Sequence, residues 1–390
     1  MDGTLQINSE EDILAPQDWS FPVPIAYGPG RLAEIGAKCR AIGVSSPLIV
    51  TDRGSRGLPF IDRLTSYLAE AGMPSGIFSE ISPNPRDDEI SAGRSMFIDG
   101  RHDAIIAIGG GKAICLTANN QIDLWDFEYE QPTPEIAAAF PKLITIPTTA
   151  GIGAETESTA MITLVKKGLK FCIWHPELSP SLALLDPELT IGLPKTLTAW
   201  TGADAMTHAI EAYLVPCFHP LCDGLALEGL ALVSRWLPIA VSDPSNLAAR
   251  GGMLVSSCLA GIAFLKGLGM VHAISHMVGA EYNTQHGLTN AINLPVVLRF
   301  NLAGEEAKVI RMSQMMGLTE TSNEAFIAAV EKMLDDIGIP KSFEEIGVPA
   351  DCAQRIAEKA IQDSAAGTNP RPATVAEIRK LIEVAIVKAR

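Results

Sequence analysis

Leu182-Ala183-Leu184-Leu185-Asp186-Pro187 is the point where one kind of sequence ends and another begins. Upstream of it, short runs rich in Ile, Val and Leu alternate with amphipathic stretches. The runs are Val23–Tyr27, Pro47–Thr51, Gly76–Glu80, Ala104–Ile108, Leu143–Pro147 and Leu182–Leu185. They read as strands buried on both faces. Arg31–Ile42 and Phe60–Ala71 read as helices between them. A βαβα order of this kind predicts a parallel sheet covered by helices. Downstream the strand signal fades. Leu197–Leu214, Leu225–Val241, Leu247–Leu265, Glu305–Met316 and Asn323–Ile337 are long helix-compatible segments parted by Gly/Pro breaks. The expected organisation is an α/β domain over residues 1–187, then an all-helical domain over residues 188–390.

Composition narrows the class. The chain has 390 residues, 47% hydrophobic and 19% charged, so a large core is available and wholesale disorder is excluded. Lys and Arg number 30 against 45 Asp and Glu, a net charge of −15. An acidic chain without a basic cluster argues against nucleic acid or an anionic membrane as partner. No apolar run approaches the roughly 18–20 residues that span a bilayer, and the polar, acidic N-terminus is not a secretory signal. The seven cysteines are odd in number, widely spaced and free of C-x-x-C, which suits reduced thiols in a cytoplasmic protein. Cys217-x-His219-x-x-Cys222 has metal-capable side chains, but its spacing fits no standard zinc motif and Pro216 and Pro220 place it in a turn.

Three segments of the first half suit a nucleotide. Gly28-Pro29-Gly30-Arg31-Leu32-Ala33 matches G-x-G-x-x-A, with Asp52 ending the next strand. Gly109-Gly110-Gly111 directly follows the strand ending at Ile108; without Cβ atoms, its N–H groups can approach a phosphate closely. Thr148-Thr149-Ala150-Gly151 also follows a strand, where ligands of open α/β sheets bind.

The helical half carries the sharper signal. Asp204-x-x-x-His208 puts a carboxylate and an imidazole on one helix face. His272-x-x-x-His276 repeats that spacing, and His286 follows ten residues on. The neighbours Ala205, Met206, Ala209 and Ile210, then Ala273, Ile274, Met277 and Val278, are apolar. An unpaired Asp among them would be costly, and a divalent cation would offset the cost. One carboxylate with imidazoles suits Fe²⁺, Zn²⁺ or a similar ion.

On these segments, with Val50-Thr51-Asp52, Pro83-Asn84-Pro85, Asp186-Pro187-Glu188-Leu189-Thr190 and Thr368-Asn369-Pro370-Arg371, the chain resembles the iron-containing (group III) alcohol dehydrogenase family over nearly its whole length. The resemblance implies a Rossmann-like, dinucleotide-binding α/β domain and an all-α metal-binding domain in a dehydroquinate synthase-like architecture. It implies that Asp204, His208, His272 and His286 hold the metal and that His276 stands beside substrate and nicotinamide as a proton relay. It implies that Asp52, Gly109, Gly110, Gly111, Thr148, Thr149 and Lys170 contact NAD, leaving Gly28–Ala33 as a decoy. The implied activity is hydride transfer between NAD(H) and an alcohol/aldehyde pair, in a homodimer. Phe264 and Leu268, just before His272, are substrate-pocket candidates.

The chain departs from the family pattern at one turn. Relatives typically read G-G-G-S-x-x-D-x-x-K-A-I, whereas here Gly111 runs straight into Lys112-Ala113-Ile114. About six residues, or over one and a half helical turns, are missing. Ile152 and Ala154 also stand where relatives usually carry Thr and Ser. The alternative is therefore a metal-binding homologue with impaired or absent cofactor binding. A metal-dependent hydrolase would explain the metal but leave Asp52, Thr148 and Thr149 idle.

Overall fold

A computed structural model of the chain describes residue 14 and residues 17–19, 23–82, 84–109, 111–129, 131–167 and 169–390. Strands β1 (Gln17–Trp19), β2 (Ile25–Tyr27), β3 (Pro47–Asp52), β4 (Gly76–Ile81), β5 (Ala104–Ile108), β6 (Lys142–Ile146) and β9 (Leu182–Leu185) form one sheet in the order β1-β2-β9-β6-β5-β3-β4. All neighbours pair in parallel except β1, which runs antiparallel to β2. The six expected strands are therefore present.

Side chains alternate along these strands, and both faces are covered. Leu48, Val50 and Ile105 join one apolar cluster, with Ile90 and Phe97 of helix α3 (Asp87–Asp99). Ile49 and Ile106 point to the opposite cluster, with Ile35 of α1 (Ile35–Ala41) and Leu64 and Leu68 of α2 (Pro59–Glu70). Two-sided burial is why the strands read as continuous hydrophobic runs rather than alternating ones.

The order of the sheet locates a crevice. From β3 the chain moves outward to β4, whereas β5 leads to β6 on the other side. Adjacent strands whose connections leave in opposite directions mark the switch point where open α/β sheets bind ligands, at the strands' carboxyl ends. Asp52 ends β3 and Gly109 follows β5 there.

One feature was not foreseen in the sequence and one follows from it. A separate antiparallel hairpin, β7 (Thr159–Leu164) and β8 (Leu169–Trp174), covers β5 and β6 through Ile162 and Ile173. The helix after the glycine turn, α4 (Ile114–Ala118), is only five residues long, consistent with the missing segment.

The helical half contains α5 (Lys195–Leu214), α6 (Pro220–Ser242), α7 (Leu247–Ala263), α8 (Met270–Tyr282), α9 (His286–Asn301), α10 (Glu306–Met315), α11 (Asn323–Asp336), α12 (Ala353–Ala360), α13 (Ser364–Gly367) and α14 (Val375–Lys388). Helix α5 is central: every residue from Thr201 to Leu214 is buried. The expectation that no segment has the length and apolarity of a membrane span needs correction. Helix α6, with 23 residues, and the 20-residue stretch Leu247–Lys266 both reach them. Their apolar character follows from burial: 56% and 78% of their most apolar 18 residues lie inside the fold, packed against α5 and one another.

Candidate metal centre and cofactor cleft

Helix α5 carries Asp204 and His208 one turn apart, α8 carries His272, and α9 opens with His286. One ligand-capable atom from each lies within 4.8 Å of all the others. The Nε2 atoms of His208, His272 and His286 each stand 3.9 Å from Asp204 Oδ1. Three helices, up to 82 positions apart in the chain, bring these four residues together. Gly287 permits the approach of α9, since a Cβ there would lie 2.4 Å from the Trp200 carbonyl oxygen and 2.9 Å from Asp204 Cβ.

The rings are oriented by their far nitrogens. His208 Nδ1–H donates to the Gly151 carbonyl at 3.1 Å. His272 Nδ1–H donates to Glu211 Oε2 at 2.6 Å. Both bonds leave Nε2 facing Asp204, the arrangement by which outer partners fix the ligating tautomer of a histidine. Burial lowers the pKa of His208, His272 and His286 and so favours the neutral imidazole, the form that ligates. Burial also raises Asp204, opposed by His208 and by Asn290, whose Nδ2–H donates to Asp204 Oδ1 at 2.7 Å. An acidic oxygen and three imidazole nitrogens, His286 partly exposed and the rest buried, are a donor set that fits a divalent cation.

His276, one turn along α8, is stacked on His286 with ring centroids 5.4 Å apart. Its Nδ1–H donates to Asp363 Oδ2 at 2.9 Å, and Asp363 Oδ1 in turn accepts the N–H of Ala365 at the start of α13. The Phe264 ring lies 4.8 Å from the His208 ring, whereas Leu268 packs partly buried against the helical core.

The buried N-terminus of α8 is closed by two side chains. Glu211 Oε1 accepts the Val271 N–H at 2.8 Å, and Asn369 Oδ1 accepts the Met270 N–H at 2.9 Å. Asn369 is the central residue of the Thr368-Asn369-Pro370-Arg371 segment, whose role is thereby structural. Burial pushes Glu211 up to about 8, against the pull of the N–H groups of Val271, Gly269 and His272; a nearby divalent cation favours its ionised form.

At the sheet crevice, Gly109 has φ +94°. A Cβ there would stand 3.2 Å from Asp52 Oδ2 and 3.7 Å from Thr148 Oγ1, so glycine keeps open a space that Asp52 and Thr148 border. Gly111, at φ +92°, lies flat against Val50. Gly110 is outside the described residues, and Thr149 is half-buried beside Thr148. Lys170, on β8, donates from Nζ to Asn84 Oδ1 at 2.8 Å, and burial pushes it down to about 8. It stands near enough to His286 to lower the pKa of that ring. The open space at Gly109, the acidic end of β3 and the hydroxyl of Thr148 suit a dinucleotide. The shortened α4 contributes no long helix terminus to it.

The competing glycine turn is closed. Asp186 accepts the N–H groups of Gly30 at 3.1 Å and Leu32 at 2.9 Å, occupying the place an anion would take. In the Cys217–Cys222 turn, His219 Nδ1 caps α6 by accepting the Cys222 N–H at 3.2 Å. Neither segment joins the site.

Sequence reasoning assigned no role to Glu211, Asn290 or Asp363, and gave Gly151 a part only in the nucleotide loop, not against His208. Glu211 had a usable signal: an acidic residue three positions after His208 in the same apolar helix. Asn290, four after His286, shares its face. Asp363 and the Gly151–His208 bond have no local signature, because each involves a ring far away in the chain.

Comparison with known proteins matches residues 22–187 to the iron-containing alcohol dehydrogenase model and residues 198–386 to the C-terminal model of the Fe-containing alcohol dehydrogenase family. The NAD-dependent methanol dehydrogenase of Bacillus methanolicus is 34% identical, covering 94% of this chain and 99% of its own. The 1,3-propanediol dehydrogenase of Klebsiella pneumoniae is also 34% identical, covering 94% and 98%. The solved structure of a 1,3-propanediol oxidoreductase superimposes with a TM-score of 0.89 at 35% identity, covering 96% of this chain and 100% of that one.

Proposed function

Because the chain belongs to the iron-containing alcohol dehydrogenase family, we propose that it catalyses reversible NAD(H)-linked interconversion of a small alcohol and its aldehyde. The observation that carries this reading is the convergence of Asp204, His208, His272 and His286, joined by the His208–Gly151 hydrogen bond to the loop whose Thr148 borders Gly109 and Asp52. In this reading residues 1–187 serve the cofactor and residues 188–390 the metal.

Asp204, His208, His272 and His286 hold the divalent cation, iron in keeping with the family. When bound, the cation supplies Lewis-acid stabilisation to a substrate oxygen and the nicotinamide supplies or accepts the hydride. His276 places its Nε2 for proton exchange at the substrate oxygen, with Asp363 holding Nδ1–H and thereby the tautomer. Phe264, against His208, narrows the space a substrate can enter. Asp52 meets the adenosine ribose and disfavours a 2′-phosphate by like charge. Gly109, Gly110 and Gly111 face the pyrophosphate, and Thr148, Thr149 and Lys170 complete the cofactor contacts.

The alternative, a metal-binding homologue with impaired cofactor binding, finds no support in the comparisons. They include an NAD-dependent enzyme matched along 94% of this chain. A hydrolase reading leaves the Asp52–Gly109–Thr148 crevice without a task.

The same reading includes a homodimer in the cytoplasm. The outer edge of β1, with no further strand paired to it among the described residues, supports association through the sheet edge. The seven free cysteines support a reducing compartment. Sedimentation equilibrium tests the dimer. For the activity, the decisive comparison is alcohol oxidation with NAD before and after metal removal, alongside calorimetric titration with NADH. Full turnover by metal-stripped protein, or no binding of NADH, overturns the proposal.

A further inference from the structure

Glu211 occupies the point where α5 meets the start of α8. Its side chain is 3% exposed and has two tasks at once. Oε1 accepts the Val271 N–H at 2.8 Å, and Oε2 accepts Nδ1–H of His272 at 2.6 Å and the His272 backbone N–H at 3.4 Å. Gly269 makes this approach possible, because a Cβ at that position would lie 2.6 Å from Glu211 Oε1.

We infer that Glu211 is a positioning residue for the metal centre, acting on His272 by fixing its tautomer as well as its ring. The inference rests on the metal reading proposed above. Both carboxylate oxygens already accept N–H groups at the start of α8, so the side chain meets Nδ1 as an acceptor, keeps the ring proton there and leaves Nε2 without one, facing Asp204 Oδ1 at 3.9 Å and the Asn290 amide at 3.0 Å. His272 is the ligand for which this control matters most. Its ring is 1% exposed, so the tautomer is set by buried neighbours, Glu211 at Nδ1 and the Asn290 amide at Nε2, and not by solvent. His208 receives the same service from the Gly151 carbonyl, which can never donate. Glu211 differs because an isosteric change converts it into a donor.

That difference defines the experiment. In Glu211→Gln the amide oxygen can still accept the Val271 N–H, which retains the shorter cap bond on α8 and gives up only the 3.4 Å one from the His272 N–H. The amide nitrogen then faces His272 Nδ1 and donates to it, which moves the ring proton to Nε2, the ligating atom. The control is Asn369→Ala, which removes the other cap, at Met270, without touching the His272 ring. Fe²⁺ and Zn²⁺ affinities of the full chain are measured by competition with a chromogenic chelator, and thermal unfolding is followed on metal-stripped protein. Glu211→Gln is expected to bind either ion about 10–100-fold more weakly, the usual effect of losing an outer-shell partner. Its metal-stripped unfolding temperature should stay close to that of the parent. Asn369→Ala should lower the unfolding temperature and change the affinity less than about 2-fold.

Unchanged affinity in Glu211→Gln overturns the inference, as does an equal loss in both variants, which would reduce Glu211 to a helix cap. If neither variant folds, ¹⁵N shifts of the imidazoles in the metal-stripped parent protein decide: a proton on His272 Nδ1 supports the inference and one on Nε2 overturns it. A parent chain that holds neither ion refutes the metal reading itself, a result distinct from a parent that binds and a variant that binds equally well.

Discussion

The Gly151 carbonyl oxygen accepts a hydrogen bond from His208 Nδ1 at 3.1 Å, joining the Thr-Gly loop of the sheet domain to a metal-facing histidine of the helical domain. Gly151 is the only residue type that fits: a Cβ would lie 1.8 Å from the Thr201 carbonyl oxygen. The loop is held from below as well, by Lys112 Nζ donating to the carbonyls of Ala154 and Glu157 at 2.9 Å each. The Thr-Gly loop and the His208 side of the metal-capable cluster are therefore tied to each other.

Gly151→Ala must push the loop away from α5. Overpacking of this kind costs about 1–3 kcal/mol or more, and the displaced carbonyl releases His208. Thermal unfolding and metal content per chain should both fall. A variant with parental metal content would show that the bond to His208 is dispensable.

Asp204→Asn keeps the side-chain volume and removes the acidic ligand. Lewis-acid stabilisation amounts to several kcal/mol of barrier, and each 1.36 kcal/mol is tenfold in rate. A fall of at least about 10²-fold in kcat/KM is expected, with substoichiometric metal by elemental analysis. Parental activity in this variant would remove Asp204 from the metal centre.

Asp52 borders the open space at Gly109. Replacing it by Ser removes the like charge that a 2′-phosphate would meet. The ratio of kcat/KM for NADPH over NADH should rise by at least about tenfold, the equivalent of 1.4 kcal/mol. An unchanged ratio would place the adenosine ribose elsewhere.

Burial pushes Lys170 down to about 8. Its ammonium form, the one that attracts an anionic cofactor, is present below that pH and lost above it. Affinity for NADH should be level at pH 6–7 and weaken as pH rises through about 8. The Lys170→Met variant should show weaker binding with no such inflection. An inflection that persists in the variant would assign the titration to another group.

Much of this molecule was legible in the chain itself, for physical reasons that act locally. Buried parallel strands are short apolar runs, so six strands could be read without knowing their neighbours. Asp204 and His208 share a helix face by spacing alone, and a charged residue within Ala205, Met206, Ala209 and Ile210 advertises a buried partner. The hairpin Thr159–Leu164 and Leu169–Trp174 escaped notice because it stands apart from the βα alternation. The apolarity of α6 and α7 resembled nothing unusual until their burial around α5 explained it.

What the sequence determined alone was the inventory: a parallel α/β half, a helical half, and four metal-capable side chains at helical spacings. Tertiary structure decided which glycine turn is closed, since Asp186 reaches Gly30 and Leu32 across more than 150 residues. It also decided how the histidines are aimed, through Gly151, Glu211 and Asp363, at separations of 57, 61 and 87 positions. Side-chain spacing on a helix is a property of neighbours in sequence. The tautomer of a buried imidazole is a property of whatever atom the fold brings to its other nitrogen.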